Sequence, residues 1–231
     1  MSSPLNPVQR RNAKIVGAVL ALTSIISILV MWFHPSVSSV DINHQIQEIS
    51  EEASVNKFVH STLIAFIVLI SGCLTFYAKQ RGMHRSFVLF GTIIYWLATA
   101  LMILAALLSG IVGPELAANY MQANQSEAEV YKGLSLLKFE MNQAFANFAV
   151  HCWCVTIALW SMDMMTKSGL MRQFGLISFI TGVGISISLL MGWVSLSVFG
   201  MTLILVIVSV WQIGIAWLLA FIPDLVADKP T

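Results

Sequence analysis

At 231 residues, 58% of them hydrophobic and only 10% charged, with a formal net charge of +1, the chain is too apolar and too sparsely charged for a water-soluble domain. No basic run is dense enough to form a nucleic-acid surface, so nucleic acid is excluded as a partner and the lipid bilayer takes its place. Cys73, Cys152 and Cys154 all lie inside apolar runs, and a disulfide framework is not expected of them.

Residues 1–14 form a polar tail ending in Arg10, Arg11 and Lys14, and the charge-free run 15–33 that follows reads as the first span. The rival reading is a secretory signal cleaved among the small residues 36–39, but the run exceeds the ~7–15 residues of a signal's apolar core. His34-Pro35 stops the span. The segment 34–57 is acidic, with Asp41, Glu48, Glu51 and Glu52 against Lys57. Within it Ile42, Ile46, Ile49, Ala53, Asn56 and His60 recur at helical spacing, which predicts a helix that runs straight into span two, 58–78.

Lys79, Arg81, His84 and Arg85 make a basic hairpin around Gly82. Span three, 87–113, is expected to end at Gly113-Pro114, and Ala106/Gly110 and Ser109/Gly113 are small pairs that let a neighbouring backbone come close. The second outer segment, 114–142, is again acidic and turns near 124–126. A long helix then begins, with Val130, Leu134, Leu137 and Met141 on its apolar side, and continues without a breaker into span four, 143–163. The two outer helices are expected to pair their apolar sides as a small extracytoplasmic helical cap.

Lys167, Ser168, Gly169 and Arg172 form the next basic turn, and no charge appears from Gln173 to Pro223. As one helix that run would be roughly 75 Å long, more than twice a hydrocarbon core. It therefore divides into spans 174–194 and 201–222, with the break between Gly192 and Gly200. Span five carries Ser178, Gly182 and Ser186 on one side and Gly184, Ser188 and Gly192 on another. Spans three and five thus offer small-residue surface for a homo-oligomer or a membrane-protein partner. Span six holds Gln212 near its middle, and Pro223 opens the tail 223–231.

The reading is an all-α, polytopic membrane protein of six transmembrane helices. Nine of its twelve Lys and Arg residues fall on the face that carries both termini, and the positive-inside rule makes that face cytoplasmic.

The Lys167-Ser168-Gly169-Leu170 turn, followed by Arg172 and a glycine-rich span, resembles a family of six-span bacterial inner-membrane proteins of unknown function. The basic opening Arg10-Arg11-Asn12-Ala13-Lys14-Ile15-Val16-Gly17 is similar to that family's start. The resemblance implies a six-span architecture in a bacterial inner membrane and carries no activity with it.

Span four holds the candidate site. At 100° per residue Glu140, Gln143, Asn147, His151, Cys154, Ala158 and Ser161 form one stripe, and Phe145, Phe148, Trp153 and Trp160 lie off it. A hydrogen-bonding side chain has no partner in lipid, so the stripe is expected to face other helices or a wet cavity. Either it is glue, satisfied by Gln212, Tyr95, Thr99 or Ser186, or it is a polar pocket of Gln143, Asn147, His151, Gln212 and His60. His151 and Cys154, spaced i, i+3, with His60 as third ligand, would make a metal site. Haem between His60 and His151 is disfavoured because His151 lies about 10 Å deep while His60 sits at the rim.

His34, His44 and His60 fall on one side of the membrane and can form a metal or pH-sensing cluster there. Asp163 and Lys167, spaced i, i+4, are expected to pair at the surface. The chain has no Walker loop, GxSxG elbow or HExxH pair. A non-catalytic binding or interaction module without a resident cofactor is therefore expected, with a small-solute transporter and a metal or haem protein as the alternatives.

Overall fold

Helix α1 (Pro7–Trp32) begins on a capping box. The Asn6 side chain accepts from the Gln9 N–H at 2.9 Å, the Gln9 side chain accepts from the Asn6 N–H at 3.0 Å, and Pro7 sits where no helical N–H is needed. The computed structural model describes residues 5–35 and 41–227. The rest, including Lys229 and the small residues of the cleavage reading, lie outside the described residues.

The described residues form α2 (Ile42–Glu51), α3 (Ala53–Arg81), α4 (Ser86–Leu107), a π-helical turn (Leu108–Val112), α5 (Gly113–Gln122), α6 (Gln125–Met165), α7 (Leu170–Leu190), α8 (Val198–Phe221) and the short α9 (Pro223–Val226). Six helical segments are long and apolar enough to cross a membrane, and the chain is an all-α, multi-pass membrane protein. Its spanning helices pack in the order α8, α1, α3, α4, α6, α7. The α7–α8 break falls inside the expected window, yet these consecutive helices splay apart: α7 lies along α6 and α8 along α1. The Phe174 ring against Gly214 is a point of contact between them.

Small residues set the tightest seams. A Cβ on Gly17 would lie 2.6 Å from the Ala216 carbonyl oxygen, so α1 and α8 meet backbone to backbone. Gly91 of α4 leaves room for the Trp160 indole of α6, whose Nε1 donates to the Val88 carbonyl at 3.2 Å. Tyr77, Tyr95 and Trp211 surround that indole with ring centroids at 5.6, 5.8 and 6.1 Å, filling the middle of the bundle with aromatic surface.

Three expectations fail in the cap. First, the outer helix does not run straight into span two; it breaks at Glu52, and α2, with Ile46 buried, packs against α5. Tyr120 of α5 then donates to Asn43 of α2 at 3.0 Å. Second, Gly113-Pro114 does not end the helix. The Gly113 N–H reaches back five residues to the Leu108 carbonyl, and this π register puts Pro114 in the first turn of α5, where its missing N–H leaves no bond unmade. Third, Val130, Leu134, Leu137 and Met141 are not buried as a paired apolar side: they are 40–61% exposed, and α6 packs on α5 more than on α2.

At the opposite end, which carries the basic turns, Asp163 is no surface residue. It is 2% exposed, accepts from Arg81 Nε at 2.8 Å and from a second Arg81 nitrogen, and pairs with Arg85 at 2.9 Å. Arg81 also donates to the Val226 carbonyl at 3.2 Å, drawing α9 under the bundle.

Candidate binding cleft

The polar stripe of α6 divides in two. Its half nearer the basic end is packed: Cys154 and Ser161 are buried where glycines of α7 come close. A Cβ on Gly182 would sit 3.0 Å from the Cys154 carbonyl oxygen, and one on Gly175 2.9 Å from that of Ser161. This half is interhelical seam.

The half nearer the cap is open. There α7 ends, and Glu140, Gln143, Asn147 and His151 line a cleft of about 560 Å³ together with Ala144 and Phe148. The facing wall is the α7–α8 turn, with Leu189, Gly192, Val194, Ser195 and Leu196.

That wall is firmly built. Gly192 takes φ +70°, a conformation that suits glycine, and the Trp193 and Val194 N–H groups both donate to the Ser188 carbonyl at 2.9 and 3.2 Å. Ser197 caps α8 by accepting from the Gly200 N–H at 3.2 Å. The Ser195 carbonyl is pressed against Gly200, a position with no room for a side chain. Around the turn Leu190, Trp193 and Phe199 are 72–79% exposed, as anchors at a membrane interface would be.

His151 is the deepest polar group of the cleft, and its Nδ1 lies 2.8 Å from Ser186 Oγ of α7. The bond leaves Nε2 for another partner, and the hydroxyl can act as donor or acceptor with either tautomer. Asn147 is exposed and Gln143 half-buried, so both amides are accessible for hydrogen bonding, and Glu140 puts a carboxylate at the rim. Phe148, Leu189, Val194 and Leu196 supply apolar wall. A small solute with hydrogen-bonding groups on one side and hydrocarbon on the other fits such a lining.

Two expected pocket residues lie elsewhere. Gln212 is buried between α1 and α8, where Ser24 donates to its Oε1 at 2.8 Å. His60 is buried against Gly110 of the π turn, with its Nδ1 3.0 Å from the Asn56 carbonyl oxygen. Of the partners expected for the stripe, Ser186 meets His151, whereas Tyr95 and Thr99 both meet Ser71, at 3.3 and 3.0 Å. The proposed ligand set of His151, Cys154 and His60 is therefore not assembled, because α3 and α6 are kept apart by α4. Among the described residues no group of three His, Cys, Asp or Glu side chains converges on a metal position.

The facing wall was the part hidden from the sequence. Its residues read as an interfacial turn, and only the splaying of α7 from α8 brings them opposite Asn147. Comparison with protein-family models, with curated proteins and with solved structures finds no match for this chain.

Proposed function

We propose that this protein is a non-catalytic binding module of the bacterial inner membrane, with both termini cytoplasmic, that takes a small polar solute into the cleft between α6 and the α7–α8 turn. The observation that carries this reading is the concentration of Glu140, Gln143, Asn147 and His151 on one wall of an open 560 Å³ cleft. Polar side chains gathered at membrane depth commonly mark a ligand site. The basic turns and the family resemblance support this location, in which the cleft opens to the periplasmic side.

Binding fits better than transport. Beyond His151 the stripe closes, with α7 glycines against the α6 backbone at Cys154 and Ser161, and at the far end Arg81, Asp163 and Arg85 occupy the bundle interior. A cleft entered from one side holds a solute without passing it on.

Purified protein in mild detergent, screened by thermal shift against small amines, amides, polyols and amino acids, tests the proposal. A ligand should raise Tm in a concentration-dependent way, and Asn147→Leu should abolish that shift while leaving the unliganded Tm unchanged. A shift that persists in full in Asn147→Leu would place the ligand elsewhere.

A further inference from the structure

His34, just past the end of α1, and His60, two turns into α3, meet at the cap end with their Nε2 atoms 3.3 Å apart. The other nitrogen of each ring is already committed. His34 Nδ1 lies 2.7 Å from the Pro35 carbonyl oxygen, and His60 Nδ1 lies 3.0 Å from that of Asn56. A carbonyl oxygen only accepts, so both Nδ1 atoms carry the hydrogen and both neutral rings turn a bare Nε2 lone pair toward the other. Two facing lone pairs repel unless a positive species lies between them.

Their spacing fits a metal ion: two nitrogens bound at about 2.0–2.1 Å to a tetrahedral ion lie about 3.3 Å apart, the separation seen here. A proton shared between the two Nε2 atoms is the competing occupant. The rings meet edge-on, at 64° with centroids 4.7 Å apart. An Nδ1–H given to a backbone carbonyl is also the usual support of a metal-binding histidine, since it fixes the tautomer and aims the ring.

A third donor is close in sequence and unused. Asn56 lies one turn before His60 on the same face of α3. Its Nδ2 donates to the Ser109 carbonyl at 3.3 Å, while its Oδ1 is buried without a hydrogen-bond partner. The π turn shapes the site, because Gly110 abuts His60 and admits no side chain. The segments 34–57 and 114–142 carry eight carboxylates against three lysines, a field that gathers cations at this end. Lys138 is the charged group of α6 that acts on His60, and its ammonium limits the affinity.

We propose that His34 and His60, with Asn56 as third donor and water as fourth, bind a divalent transition-metal ion of the zinc class. The site lies apart from the cleft and does not depend on it. Imidazole and amide oxygen suit zinc or cobalt(II) rather than the hard cations calcium and magnesium.

The test uses the full chain, purified in detergent without a histidine tag, stripped with chelator, equilibrated with zinc chloride at pH 7.5 and desalted. Elemental analysis should find about one zinc per chain, falling at least about tenfold in His34→Gln and in His60→Gln and unchanged in Gly184→Ala, where an added Cβ meets open space. Should either histidine variant fail to fold, cobalt(II) titration of the unmodified protein decides: tetrahedral binding gives a visible absorption band that zinc displaces. Wild-type protein that retains no zinc and gives no such band would overturn the proposal and leave the pair to a shared proton. Zinc retained equally by both variants would overturn it as well.

Discussion

Arg81 and Asp163, 82 residues apart in the chain, form a buried ion pair, with Arg81 Nε 2.8 Å from a carboxylate oxygen of Asp163 and the two residues 1% and 2% exposed. It joins α3 to α6, which have no extensive packing of their own, and through the Val226 carbonyl it also holds α9. Removing one partner leaves the other charge buried without compensation. Asp163→Asn is therefore expected to cost about 3–5 kcal/mol, read as a large fall in Tm in detergent. Arg85→Gln should cost clearly less, because Arg85 is 24% exposed and water can take its place beside Asp163. Equal, small shifts in both variants would show that the pair does not hold the bundle.

The α1–α8 seam makes a second prediction. A Cβ at Gly17 would meet the Ala216 carbonyl oxygen at 2.6 Å and the Ala220 nitrogen at 3.2 Å, and backbone atoms cannot swing aside as a side chain can. Gly17→Val should destabilise by about 1–3 kcal/mol or more through forced separation of the two helices. Gly184→Val, where a new Cβ meets open space, should leave Tm close to wild type.

Acid should loosen the cap end. Burial lowers the pKa of His34 in the folded protein, so the unfolded chain binds the proton more readily. The corresponding stability is present in full above the unfolded value of about 6.5 and is lost as pH falls through the lower folded value. In metal-free protein, Tm should fall between pH 7.5 and pH 5, and His34→Gln should flatten that dependence. A Tm that rises on acidification in wild type and not in the variant would reverse the sign and contradict the assignment.

What the sequence made legible follows from where periodicity carries information. Six apolar runs and the polar stripe of α6 are patterns along one helix, and they persist in the structure. The identity of a neighbour is not written that way. Gln212 and His60 looked like members of the α6 pocket because each is polar and lies in a span, yet they face α1 and the π turn respectively. Gly113-Pro114 looked like a terminator because the π turn that absorbs the proline has no simple sequence signal. Asp163 and Arg81 looked like solvated ends because charged residues near short turns usually are, and only their pairing with each other across the basic end of the bundle buries them. The His34–His60 contact was within reach of the sequence as a cluster on one side, although its geometry was not.

Solute binding requires that the cleft be wet and open at the cap end. The native cysteines Cys73, Cys152 and Cys154 are buried, so an added cysteine can be labelled against a low background. Only a thiolate in water reacts readily, and a membrane-impermeant maleimide added to intact cells reads both hydration and side. Asn147→Cys should be labelled from outside at least about tenfold faster than Val155→Cys, which is 44% exposed on the lipid-facing side of the same helix. Labelling of Asn147→Cys no faster than that of Val155→Cys would mean that the stripe is dry, and the cleft would not be the binding site.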